Sequence, residues 1–379
     1  MDVVVLGGGT GGLVAAHRLR RELPREDRVV LVERDVVYRF APSFLWVLTG
    51  QRRPEQLSAD LTRVTRRGIE LLNADALGID THAAQVETSR GTIAYDRLVI
   101  ALGAELAPEV VPGFAEAALT PYTLEGALEC ARALATFEGG RVAVLVSRLP
   151  YKCPAAPYET AFLTEAQLRK RGVRASVDVY SPEPYPMPTA GPVLGEALRG
   201  MLERRGIGFH PGRDIERIEA DARELVFGDG EHVPFDLLLG VPPHRAPALV
   251  RESSLAADTG FLPTDPSTLA TKVDGVFAIG DVTTIPIAGG KFLPKAGVFA
   301  HRQAEVVGRR IGAERRGRAA GAVFDGKGSC FVELGDGIAA YASGDFYAGE
   351  GPRVRLRRPG RHWHLAKVAF EKYWLRRWF

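Results

Sequence analysis

The chain has 379 residues, 46% hydrophobic and 25% charged, with a formal net charge of +3. That length exceeds one compact core and predicts two or three domains, and so small a net charge gives no electrostatic reason to expect nucleic acid as a partner. Three cysteines are too few for a disulfide framework or a tetrahedral zinc site, the immediate start of an apolar strand leads us to expect no signal peptide, and no apolar run reaches the roughly twenty residues that span a bilayer.

Asp2 to Arg20 (DVVVLGGGTGGLVAAHRLR) carries the clearest local signal. Val3, Val4, Val5 and Leu6 form an apolar, β-branched run of the kind buried on both faces of a parallel sheet. The stretch Gly7-Gly8-Gly9-Thr10-Gly11-Gly12 follows and contains Gly7-x-Gly9-x-x-Gly12, and Leu13 onward is rich in helix formers. In a strand–turn–helix unit the helix N-terminus offers free N–H groups and a positive dipole end to a pyrophosphate. Gly7 permits the tight turn, Gly9 admits the phosphate to the backbone, and Gly12 lets helix pack on strand. A second strand, Arg28 to Val32, ends at Glu33, twenty-one residues after Gly12. A carboxylate there receives the ribose hydroxyls of an adenosine. Turn, helix and acid agree on a dinucleotide site; an ordinary glycine-rich βα turn is the competing reading.

Tyr38 to Gly50 (YRFAPSFLWVLTG) reads either as a wall beside the rings of the dinucleotide or as a hydrophobic loop over the core. Arg66 to Asp80 and Gln85 to Tyr95 read as short strands around turns. Asp96 to Ala104 (DRLVIALGA) is a buried strand that stops at a glycine turn, suited to a second backbone approach to the dinucleotide. Prolines from Pro108 to Pro112 mark a crossover. Tyr122 to Phe137 has helical apolar spacing, and Arg141 to Val146 is again a buried strand. A second nucleotide unit would carry its own glycine turn at this point. The chain has Ser147 to Glu159 (SRLPYKCPAAPYE) instead, and no glycine between Arg141 and Arg171. Prolines and a cysteine do not replace glycines that admit a pyrophosphate, so this unit is expected to bind no nicotinamide dinucleotide. Thr160 to Arg171 reads as its helix, Ala175 to Tyr180 as the next strand and Gly195 to Arg205 as a further helix.

Asp236 to Val241 leads through Pro242-Pro243 back to the first domain. There Val273 to Asp281 (VDGVFAIGD) is a strand stopping at Gly280-Asp281, and Lys295 to Arg310 reads as a helix. The expected fold is α/β. It has two Rossmann-like doubly wound domains, residues 1–107 with 243–324 and residues 108–242, followed by a carboxy-terminal segment, residues 325–379.

The motifs GGGTGG, DRLVIALGA and VDGVFAIGD, in that order, resemble the FAD-binding disulfide-reductase superfamily. Within it, YKCPAAPYE, PKAGVFA, APSFLWVLTG and the terminal HLAKVAFEKYWL are similar to the sulfide:quinone oxidoreductases and their flavocytochrome c relatives. The resemblance covers nearly the whole chain. It implies that Gly8, Gly9, Gly12, Glu33, Arg34, Ser43, Gly103, Asp281, Lys295 and Gly297 hold FAD. It implies that Cys153 and Cys330 are a redox-active pair beside the isoalloxazine and that Glu159 assists proton movement. Phe331, with Phe299, would line a quinone pocket, and Lys367 would serve quinone protonation. The commonest relatives have a third cysteine upstream of the first active one. Cys130 lies upstream, but within a helical pattern (LEGALECARAL) where core packing is the competing reading.

Sulfide oxidation to sulfane sulfur releases two electrons, and a flavin exchanges electrons with both sulfur and quinone. Sulfide can attack a disulfide or polysulfide bridging Cys153 and Cys330. Lys152 would favour a Cys153 thiolate if its amine points the same way. Written as a helix, the tail puts Trp363, Ala366, Phe370, Trp374 and Trp378 on one side and Leu365, Val368, Leu375 and Phe379 on the other. Interspersed basic residues suit a membrane interface. The implied protein is a peripheral membrane flavoenzyme whose partners are sulfide, a membrane quinone and the membrane surface, with a homo-oligomer left open. The rival readings are a type II NADH:quinone dehydrogenase, a flavocytochrome-type sulfide dehydrogenase and a non-catalytic flavin-binding redox sensor.

Overall fold

A computed structural model describes all residues, 1–379. In chain order, the elements that position the site begin with β1 (Asp2–Leu6), α1 (Thr10–Glu22), β2 (Arg28–Glu33), α2 (Phe44–Leu48), β3 (Glu70–Asn73) and β4 (Arg97–Ile100). Next come α3 (Leu124–Thr136), β5 (Gly140–Val146), α4 (Ala156–Lys170), β6 (Ala175–Tyr180), β7 (Gly208–His210) and β8 (Leu237–Val241). The chain closes with β9 (Val276–Ala278), α5 (Gly297–Arg315), β10 (Lys327–Glu333), β11 (Ala339–Asp345), β12 (Arg353–Gly360) and α6 (Arg361–Trp378).

Valine-rich strands that lack polar alternation must be covered on both faces, and Val3 to Leu6 are fully buried. They form the centre of a parallel sheet ordered β9-β4-β1-β2-β3. A second parallel sheet is ordered β7-β6-β5-β8. Helices α1 and α5 pack together over the first sheet, and α4 packs on β5 and β6 of the second. Both sheets turn the C-terminal ends of their central strands, Leu6 and Val146, toward a loop that could meet a ligand, the arrangement expected of open α/β sheets.

Several boundaries differ from the sequence reading. Helix α4 begins at Ala156, four residues before the expected Thr160, because Pro157 sits in its first turn, where no N–H is required. Helix α5 runs on to Arg315. Residues 327–360, expected only as a cysteine-bearing segment, form an antiparallel sheet ordered β10-β11-β12. The stretch from Tyr38 to Gly50 contributes to the core: Phe44 to Leu48 are all buried in α2.

The tail helix is the largest correction. The buried stripe of α6 is Lys367, Glu371, Trp374 and Trp378, one helical face at four-, three- and four-residue steps. Leu365 (64% exposed), Phe370 (40%) and Tyr373 (60%) face outward, among exposed Arg361, Lys372 and Arg376. Apolar periodicity misplaced the inner face because two of its members are charged and internally paired. Glu371 accepts from Arg52 Nε at 2.9 Å, and Lys367 donates to Glu159. Trp374 Nε1 donates to the Tyr38 hydroxyl at 2.9 Å, and the ring of Trp378 meets His17 edge-on at 5.2 Å. No helix is long and apolar enough to cross a membrane.

Candidate active site

The glycine turn is as tight as its composition demands. Gly7 has φ +95°, and a Cβ on Gly12 would lie 1.7 Å from the Gly7 carbonyl oxygen. The Gly8 N–H donates to Glu33 Oε2 at 2.5 Å, and Glu33 Oε1 accepts from the Asp35 N–H at 3.0 Å. Glu33 is thereby held at the turn, where a ribose would arrive. Asn73, which the sequence reading passed over, fixes the same corner by donating to the carbonyls of Glu33 and Arg34 at 3.1 and 2.7 Å. Arg34 itself is exposed at the rim. Gly297, the first residue of α5, lies within about 4 Å of Thr10, the first residue of α1. Two helix N-termini therefore converge, and both positive dipole ends favour one anionic ligand.

The turn Gly280-Asp281 stands at the edge of the same space. Asp281 Oδ1 is enclosed by protein yet has no hydrogen-bond partner, and so is the Ser43 hydroxyl. Buried polar atoms rarely remain unpaired, so these two are open for a polar ligand. Burial pushes the Asp281 carboxyl up, opposed by Lys295 and Lys152. Lys295 supports the turn: its Nζ donates to the carbonyls of Asp281 and Thr283 at 2.7 and 3.0 Å. Burial brings its pKa down to about 8. Gln303, a further residue that sequence reasoning missed, receives the Gly280 N–H at 2.7 Å. Gly103, at φ +71°, has open space where a Cβ would stand, and so does Gly9. Converging helix N-termini, a ribose-facing acid and unpaired oxygens fit FAD.

Cys153 and Cys330 come together from elements far apart in the chain. Cys153 lies in the loop after β5 with φ +55°. Its N–H donates to the Lys295 carbonyl at 2.7 Å, and its own carbonyl accepts from Ala156 at 2.9 Å. Cys330 lies on β10. Both are free, partly exposed thiols. Burial raises the Cys153 pKa first, then the charges of Glu159 and Cys330 raise it further, while Lys367 opposes them. Cys330 is pushed up to about 12 by burial and Glu159, again opposed by Lys367.

Glu159 is therefore the carboxylate that both thiols feel. It is buried, and its Oε1 accepts from the Glu333 N–H at 2.9 Å and from Lys367 Nζ at 3.1 Å. Lys367 also lies 3.9 Å from Glu333 Oε1. Burial works against the Lys367 charge, but Glu159 and Glu333 outweigh it and hold its pKa above the ordinary lysine value. His364 Nδ1 lies 3.0 Å from Glu333 Oε2 and reaches toward the surface. Burial raises the Glu333 carboxyl, with Lys367 and His364 opposing. Glu333 and His364 were not foreseen; only their spacing from Cys330 and Lys367 could have flagged them.

Three expected placements need restating. Lys152, beside Cys153, reaches toward the Ala104 carbonyl at 3.4 Å, and the cation lowering the Cys153 pKa is Lys367 from the tail helix. Cys130 is fully buried in α3 within the hydrophobic core, with its thiol pushed up to about 12 by burial. It is not among the groups whose charges act on the pair. Phe299 and Phe331 do not share a wall. Phe299 packs over Gly328, on the Cys330 side of β10. Phe331 lies on the other side against Tyr341, 5.2 Å between rings, and Tyr341 stacks on Trp363 at 4.7 Å.

Known proteins resemble this chain in sequence and in fold. The chain is 28% identical to the sulfide-quinone reductase of Aquifex aeolicus, over 98% of this chain and 90% of that protein. It is 27% identical to the mitochondrial sulfide:quinone oxidoreductase of Mus musculus, over 92% of this chain and 78% of that one. The crystal structure of the Aquifex aeolicus sulfide:quinone oxidoreductase superposes with a TM-score of 0.89 at 26% identity, covering 100% of this chain and 91% of that one. Residues 1–145 and 126–304 match the pyridine nucleotide-disulphide oxidoreductases. Those residues include every strand of both parallel sheets, and the chain belongs to the pyridine nucleotide-disulphide oxidoreductase family.

Proposed function

We propose that this protein is an FAD-dependent sulfide:quinone oxidoreductase acting at a membrane surface. One observation carries the reading. The loop after β5, where a nicotinamide-binding unit would need glycines, presents Cys153 instead, and β10 brings Cys330 into the same buried group of charges. The printed names of the relatives described above support the same activity.

FAD, held by the Gly7–Gly12 turn, Glu33 and Asp281, supplies the two-electron carrier between sulfur and quinone. The protein supplies the sulfur site. Hydrosulfide attacks the disulfide form of the Cys153/Cys330 pair; an S–S bond forms on one cysteine, giving a persulfide, and the other leaves as a thiolate. Lys367 offsets that thiolate's charge, and Glu159 keeps Lys367 in place. The chain Glu159–Lys367–Glu333–His364 links the thiols to the surface beside α6 and gives protons a route to the acceptor side. The aromatic group Phe331, Tyr341 and Trp363 suits a flat quinone ring there. Leu365, Phe370 and Tyr373, set among arginines and lysines on the outer face of α6, suit the lipid headgroup boundary.

Anaerobic mixing with sulfide tests the reading. FAD absorbance should bleach in the native protein and recover when a short-chain quinone is added. Cys153→Ser and Cys330→Ser should each abolish the sulfide-driven step; bleaching at the native rate in both would refute it.

A further inference from the structure

The βα turn that carries Cys153 is nine residues long, Ser147 to Ala155. A long turn needs anchors if it is to hold one thiol in one place. Its centre is pinned at Cys153 by the Lys295 carbonyl. Its flanks are pinned by a residue the mechanism above does not use, Glu183.

Glu183 is 3% exposed and lies just past β6. In a dinucleotide unit, the acid that receives a ribose stands nearby, at the end of the second strand. Here the carboxylate is turned inward. Oε2 accepts from the Tyr151 hydroxyl at 3.1 Å, from the Ser181 hydroxyl at 3.2 Å and, more closely, from the Tyr158 hydroxyl. Tyr151 lies two residues before Cys153 and Tyr158 five residues after it, and both are buried. The Tyr151 hydroxyl also reaches the Pro154 carbonyl at 3.3 Å. One carboxylate oxygen thus gathers both ends of the segment whose middle residue holds φ +55°. The backbone of Glu183 is fixed in turn, its N–H donating to Ser181 Oγ at 3.1 Å.

We propose that Glu183 is a positioning residue for Cys153, clamping the loop through Tyr151 and Tyr158 so that the thiol faces Cys330. The inference rests on the reading of Cys153 and Cys330 as a pair, and its test reads the pair directly rather than through turnover.

The FAD-loaded protein is equilibrated in glutathione buffers of graded composition, in which glutathione disulfide is reduced as the two thiols are oxidised. The fraction with Cys153 bonded to Cys330 is then read by peptide mass. Glu183→Ala should weaken closure of the pair by about tenfold or more, as a lost effective concentration. Glu183→Gln, which keeps an acceptor oxygen, should recover part of that loss. Tyr151→Phe supplies the same readout should Glu183→Ala fail to fold. A purely structural role would lower the melting temperature of each variant without moving this equilibrium. Closure identical in native, Glu183→Ala and Tyr151→Phe proteins would overturn the proposal even if sulfide still bleaches the flavin. A shifted closure in a native protein inert to sulfide would leave it standing and count against the sulfide reading alone.

Discussion

Replacing Lys367 by methionine tests the charged centre that joins the thiols to the tail helix. Methionine keeps most of the apolar stem, so the change removes mainly the charge. It strands Glu159 and Glu333, whose side chains are 4% and 1% exposed. Removing one partner of a buried pair costs roughly 3–5 kcal/mol, because the remaining charge stays buried and uncompensated. The contact of Lys367 Nζ over the Trp46 ring, 4.9 Å from its centre, adds about 1 kcal/mol. A domain's whole stability is on the order of 5–15 kcal/mol, so the shift is large. It should also depend on pH. Burial already raises the Glu333 carboxyl, and Lys367 is the first of the charges opposing that rise, so without the cation Glu333 is protonated still more readily when folded. The variant's stability is therefore best in acid and falls as pH rises toward the raised Glu333 pKa. Urea unfolding should show a large loss at about pH 8 and a small one at about pH 5. A second change, Glu159→Gln, should restore part of the loss. Equal unfolding midpoints for native and Lys367→Met proteins at both pH values would refute the buried-centre account.

Glu183 gives a second pH signature. Burial raises its pKa from 4.5 to about 7, with Tyr158, Tyr151 and Ser181 opposing. Stability from this group is full below about pH 4.5 and falls by about 3 kcal/mol as pH rises to about 7. Glu183→Gln should flatten that part of the melting-temperature profile; an unchanged slope would contradict it. Gly12→Ala should yield protein without tightly bound flavin, since its Cβ would meet the Gly7 carbonyl at 1.7 Å; full flavin occupancy measured by absorbance would refute the turn geometry. Leu365→Glu with Tyr373→Glu should abolish co-sedimentation with anionic vesicles and leave the melting temperature unchanged, because both side chains face outward. Persistent sedimentation would remove α6 from the membrane contact. Cutting away Leu365 to Phe379 is a poorer test, because it also removes Lys367 and Trp374 from the interior.

Much of this was legible in sequence wherever one physical demand fixes one residue type. Gly7 to Gly12, the apolar strands and the Gly280-Asp281 turn obey local rules, and their elements stand where the spacing put them. The lack of glycine between Arg141 and Arg171 was equally readable, because pyrophosphate approach leaves few alternatives. What escaped was long-range. Resemblance singled out Lys367 for quinone protonation, but nothing local showed that it is an interior residue, which it is because Glu159 and Glu333, from α4 and β10, meet it there. Lys152 looked like the thiolate's helper because it is adjacent in the chain, yet adjacency does not set direction. Glu183 and Asn73 carry no motif; each matters through partners dozens of residues away or through a backbone corner. The strands of residues 327–360 had an alternating pattern in Arg353 to Leu356, obscured by its many arginines.

The central claim is that sulfur chemistry occupies the place of a nicotinamide in the second βα unit. The most direct measurement mixes the FAD-loaded protein anaerobically with sulfide or with NADH, separately, and follows flavin absorbance. The account predicts rapid bleaching by sulfide and none by NADH. Rapid bleaching by NADH with indifference to sulfide would contradict it.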